Sequence, residues 1–179
     1  MDHTPVLNDF FHWIPPHDRP TRFGPPAPNR PVEHRRPLLW ITRKDCGLYL
    51  VNDTGEMLEW VIASPGGFTT IDDTPITLNQ GCHIPDGDST TAGKDTSATE
   101  GCRSYRNVAP RAAVLLDTYD FILDSDYMLT VTVRVKSPSL GLLEFTPVPE
   151  RGGLAETVLL WENGDHDRSC EIKRLKQSP

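Results

Sequence analysis

From Leu38 onward, apolar and polar residues alternate with a period of two. The clearest run is Tyr127-Met128-Leu129-Thr130-Val131-Thr132-Val133-Arg134-Val135-Lys136. Thr130, Thr132, Arg134 and Lys136 fall on one face and Leu129, Val131, Val133 and Val135 on the other, the signature of a half-buried strand. Shorter strands are predicted at Leu38–Thr42, Gly47–Val51, Met57–Ala63, Phe68–Ile71, Thr74–Leu78, Ser104–Val108, Ala113–Leu116, Leu140–Thr146, Glu156–Trp161 and Cys170–Leu175. Asn52-Asp53-Thr54-Gly55 reads as a four-residue hairpin loop between the second and third of these. Ser64-Pro65-Gly66-Gly67 reads as a strand stop. Pro75 marks an edge strand, because proline has no N–H to donate to a second neighbour.

Short strands separated by Gly and Pro turns predict an all-β fold. The expected type is an immunoglobulin/fibronectin-like antiparallel β-sandwich with an extended Pro-rich N-terminal arm. A polar insert rich in Gly, Ser, Thr and Asp interrupts the strands at residues 80–103.

The pattern changes at Pro37. Residues 1–37 hold nine of the 17 prolines and four of the six histidines, which divides the chain into an arm, 1–37, and a β domain, 38–179. Prolines fix φ and cannot donate, so residues 15–37 should run extended as a semi-rigid tether. Within the arm, Phe10, Phe11, Trp13 and Ile14, with Val6 and Leu7 before them, predict about two turns of helix. Asp2 or Thr4 would cap it, and Pro5 fits its first turn. A helix that short is unstable alone. Its apolar groups need a surface to cover, either the chain's own β domain or a groove on another chain.

Charge narrows the partners. The net charge is −7. Residues 1–37 carry five Arg against Asp2, Asp9, Asp18 and Glu33, or +1, leaving −8 on the domain. Such a domain repels phosphate backbones and anionic bilayers, so neither nucleic acid nor membrane is the expected partner. No apolar run approaches the ~18 residues of a membrane span. Met1-Asp2-His3-Thr4-Pro5 has no basic n-region, and the cytoplasm is the expected compartment. Cys46, Cys82, Cys102 and Cys170 are then expected as reduced thiols. In an oxidising setting, Cys82 and Cys102 would instead close the polar insert as a disulfide.

Candidate chemistry is sparse. His83 beside Cys82 is poor spacing for zinc. Gly87-Asp88-Ser89 echoes an esterase nucleophile block but lacks the buried strand before it. Gly87–Lys94 resembles a P-loop, yet five residues separate the glycines and Asp95 replaces Ser/Thr. Arg22–Pro28 fits the R-x-x-P-x-x-P pattern, which recurs in any Pro-rich linker. Asp117, Asp120, Asp124 and Asp126 crowd one corner but match no calcium loop, and Asp favours turns by bonding its own backbone. Asp165-His166-Asp167 follows a turn signal and has no nucleophile beside it. Trp40, Trp60 and Trp161 lie within strands, where packing is the expected role. Asn52-Asp53-Thr54 fits a glycosylation sequon.

The reading that results is non-enzymatic, with no catalytic residue, metal or cofactor. The chain is expected to be a protein–protein interaction module or adaptor subunit. Leu7, Phe10, Phe11, Trp13 and Ile14 are its partner-binding residues, since buried aromatic anchors carry much interface energy. Its alternative is an acidic inhibitor or immunity-type protein covering a basic site on a partner, with association driven by charge. A small hydrolase using the polar insert is the third reading.

Overall fold

The alternating segment from Tyr127 becomes an internal strand of one of two antiparallel sheets. The computed structural model describes residues 5–19, 31–71, 74–77, 102–120 and 122–176. Those residues form strands β1 (Val6–Asn8), β2 (Pro37–Lys44), β3 (Gly47–Asn52), β4 (Leu58–Ile71), β5 (Thr74–Thr77) and β6 (Arg103–Val108). The chain continues with β7 (Ala112–Thr118), β8 (Met128–Ser137), β9 (Gly141–Pro147), β10 (Glu150–Arg151), β11 (Thr157–Trp161) and β12 (Cys170–Arg174). No helix occurs among the described residues, so none of them belongs to a helix long and apolar enough to cross a membrane.

The first sheet has the order β1-β7-β3-β2-β11. The second has the order β12-β9-β8-β4-β5, with β6 also paired to β4 and β10 to β8. One core cluster draws on both sheets. Leu39, Ile41, Leu50, Val114 and Leu159 come from the first, and Val61, Val131, Val133, Val135 and Phe145 from the second. Burial along β8 alternates as its sequence predicts, with Val131, Val133 and Val135 inward.

The first sheet departs from simple alternation. All six residues of β3 and all five of β11 are buried. A strand apolar on both faces must be covered on both. The second sheet covers one face. The other carries a second apolar cluster of Trp40, Tyr49, Val51, Ala113, Leu115, Val158 and Trp161.

Four local expectations are corrected. Val6–Asn8 is a strand, not part of a helix: β7 leaves its outer edge open, and pairing there satisfies backbone groups that a short helix would leave to water. β3 and β4 are not a hairpin, because β3 pairs with β2 and β7 while β4 lies in the other sheet. The Asn52 side chain directs that crossing, donating to the carbonyls of Glu56, Val108 and Ala109 at 2.9–3.1 Å. Ser64–Gly67 does not stop a strand. β4 keeps pairing with β8 there, while β6 departs at Ala63 and β5 begins at Phe68. Pro65 therefore sits where one side of the strand has no partner among the described residues, a position that tolerates its missing donor. At Gly67 a Cβ would collide with the Met128 carbonyl, so the close approach of β8 requires glycine.

The fourth correction concerns sulfur. Cys46 and Cys170 are free, as expected, but Cys102 is disulfide-bonded. Cys82 lies outside the described residues. A thiol beside a second one at suitable distance is oxidised wherever the surroundings permit, whatever the composition elsewhere.

Candidate partner-binding site

The arm begins as the edge strand of the first sheet. Val6, Leu7 and Asn8 lie opposite Val114, Ala113 and Ala112 of β7. Leu115 N donates to the Pro5 carbonyl and Asp9 N to the Arg111 carbonyl, both at 3.0 Å. Asp9 has φ 53°, a left-handed conformation in which Asp is tolerated, and the chain turns away from β7 there. The Asp9 carboxylate meets Arg111 at 2.8 Å.

Beyond the turn the arm crosses the sheet's outer face. Its burial alternates: Phe11, Trp13, Pro15, His17 and Arg19 are half-buried, while Phe10, His12, Ile14, Pro16 and Asp18 are exposed. This is period two, the mark of an extended chain with one face docked. The Phe11 ring lies 5.6 Å from Tyr49 of β3 and 6.4 Å from Trp40 of β2, centroid to centroid. Trp13 lies 5.3 Å from Trp40 and 5.6 Å from Trp161 of β11, both edge to face. Arg19 then reaches Glu156, just before β11, in an ion pair. The arm thus passes from β1 at one edge over β3 and β2 to β11 at the other.

Cations finish the cover. The Arg19 guanidinium stacks 4.7 Å above Trp13, and Arg35 stacks 4.4 Å above Trp161. Arg35 also donates to Glu33 and holds that carboxyl down to about 2. Glu33 N in turn donates to His17 Nδ1 at 3.1 Å, tying residues 31–36 back to the arm. Burial pushes the Glu156 carboxyl up, against the opposing pull of Arg19. The buried Nε1 groups of Trp13 and Trp40 have no hydrogen-bond partner among the described residues. Ring packing therefore holds the Phe11 and Trp13 side chains to the sheet.

The five expected partner-binding residues divide. Leu7, Phe11 and Trp13 pack on the chain's own sheet. Phe10 and Ile14 remain half exposed, at 50 % and 49 %. Phe10 stands edge-on to Phe11, with Lys44 Nζ 4.2 Å from its centroid. Sequence reasoning missed the receiving surface. Trp40 and Trp161 are buried, but beneath the arm and not between the sheets. The unbroken apolar runs of β3 and β11 were the signal for it.

The aspartate corner is a set of self-capped turns. Asp120 Oδ1 accepts from Ile122 N and Leu123 N at 2.8 and 2.9 Å, and Asp124 Oδ2 accepts from Asp120 N at 2.7 Å. Asp126 pairs with Arg151 at 2.8 Å. Among the described residues no group of three His, Cys, Asp or Glu is arranged to hold a metal ion. Tyr119, beside this corner, is buried; burial and then the Asp117 carboxylate push its pKa up. In the Asp165–Asp167 segment, Asp165 accepts from Asn163 and Arg35, and Asp167 from Ser169. Cys82, His83, Gly87–Ser89, the Gly87–Lys94 segment and Arg22–Pro28 lie outside the described residues. No protein-family model, curated protein or solved structure matches this chain.

Proposed function

We propose that the chain is a non-enzymatic interaction module whose arm presents Phe10 and Ile14 to another protein. The observation that carries this reading is the two-sided arm. Its inward residues are committed to the chain's own sheet, and its outward residues leave Phe10 and Ile14 half exposed to solvent. Apolar side chains held on a docked segment lose little further freedom on binding, which favours affinity. Partner contact therefore belongs to Phe10 and Ile14, while Leu7, Phe11 and Trp13 hold the arm in place. The exposed Phe10 and Ile14 side chains favour an adaptor over an acidic inhibitor, whose contact face would be charged. The acidic balance of the domain is poorly suited to nucleic acid or an anionic membrane.

We read the scaffold as a sandwich of the immunoglobulin/fibronectin kind, since two antiparallel sheets share one core. The bonded Cys102 bears on location: disulfides persist in oxidising compartments, so it weighs against the cytoplasm. The test of function is retention of binding proteins from source extracts. The Phe10→Ser/Ile14→Ser variant should lose the partner that the unaltered chain retains, with unchanged thermal stability. Identical retention by both would end this reading.

A further inference from the structure

We infer that this chain associates head to tail with a second copy of itself, through a loop tip at one end and an apolar pocket at the other. The tip is Ile122 and Leu123 in the β7–β8 connection, 83 % and 72 % exposed. Single exposed aliphatics are ordinary on protein surfaces. These two are adjacent, and their backbone is held by the Asp120 carboxylate and by Ser125 Oγ, which donates to the Ile122 carbonyl at 3.0 Å. Arg151 braces the turn by donating to the Ser125 carbonyl at 3.0 Å. A preformed apolar tip loses little entropy on docking. Asp120 and Asp124 flank it, and neither is paired with a cation among the described residues.

An open pocket of about 320 Å³ lies between the sheets, lined by Leu38, Leu140, Leu143, Leu160 and Ile172 together with His166. That space suits one or two aliphatic side chains. Arg174 stands on its rim without an ion pair or hydrogen bond among the described residues. Glu162, also on the rim, accepts from Arg36 N at 3.3 Å. An apolar tip with an acidic collar thus complements an apolar pocket with an unpaired guanidinium on its rim.

Position decides that the pairing is intermolecular. The tip follows Thr118, which lies opposite Gly47 at the β2–β3 turn. The pocket lies at the other end, with Leu38 at the start of β2 and Leu140 in the turn after β8. The ten residues of β8 separate the two by roughly 30 Å. One copy cannot fill its own pocket. A tip entering the pocket of the next copy makes a heterologous contact, which propagates unless rotation closes a ring.

The contact is small, so association is weak and requires protein at about 0.1–1 mM. The test is sedimentation velocity of the full chain across that range. Mean mass should rise continuously above that of one 20.0 kDa chain. Ile122→Asp/Leu123→Asp and, separately, Arg174→Glu should each weaken association about tenfold or more, with thermal unfolding unchanged. Mixing the two variants should restore association that stops at pairs, because the tip variant keeps its pocket and the pocket variant keeps its tip. A chain that stays monomeric throughout, association indifferent to both substitutions, or a mixture that stays monomeric overturns the proposal.

Discussion

Burial sets the chemistry of Asp117 at the end of β7. It raises the carboxyl to about 6, against the pull of the Thr118 N–H and of Arg103. The folded value lies above that of an unfolded Asp, so the native state binds more protons between about pH 4 and 6. Stability from this group therefore falls as pH rises through that window and stays lower above it. Asp117→Asn should leave stability near pH 4 unchanged and raise it at pH 7 by about 1–3 kcal/mol, read by thermal unfolding at the two pH values. Asn52 shows how a legible motif misleads. Its sequon reads as a glycan acceptor, but the side chain is fully buried and its amide donates to three carbonyls. It is a structural pin between two turns, and burial is what the tripeptide does not encode.

At the scale of elements, the arm is the cover that the first sheet requires. Phe11 and Trp13 fill the outer cluster, while Phe10 and Ile14 face away from it. Phe11→Ala and Trp13→Ala should each destabilise by about 2 kcal/mol, less than a fully buried aromatic because both are half-buried. Phe10→Ser and Ile14→Ser should change stability by less than about 0.5 kcal/mol. Thermal unfolding of the four variants separates the two faces. Much of the β pattern was readable beforehand: β8 from its alternation, the edge position of β5 from Pro75, and β9 and β12 as the short segments Leu140–Thr146 and Cys170–Leu175. What escaped was set by partners distant in sequence. β1 takes its conformation from the open edge of β7, and the three-residue run around Leu7 has no period of its own. The turn after Asn52 looks like a hairpin loop, but the buried amide sends the chain to the other sheet. Phe11-His12-Trp13-Ile14-Pro15 alternates as an extended segment does. Clustered aromatics favoured a helical reading, and the doubly buried strands β3 and β11 argue for the other.

For the whole molecule, the sulfur inventory discriminates between environments. With Cys46 and Cys170 free and Cys102 bonded, two of the four cysteines should react with a thiol reagent after denaturation without reductant. In the native protein Cys46 should react first. Cys170 is buried and its thiol is pushed up to about 12, so it holds almost no thiolate at neutral pH. Four reactive thiols on denaturation would return the chain to a reducing compartment. The central claim is that one segment does two jobs, docking by one face and recruiting by the other. A photoreactive residue placed at position 10, compared with one at position 13, tests it most directly. Position 10 should crosslink to another protein in source extracts and position 13 to the chain's own first sheet. Partner crosslinks from position 13, or none from position 10, would contradict the account.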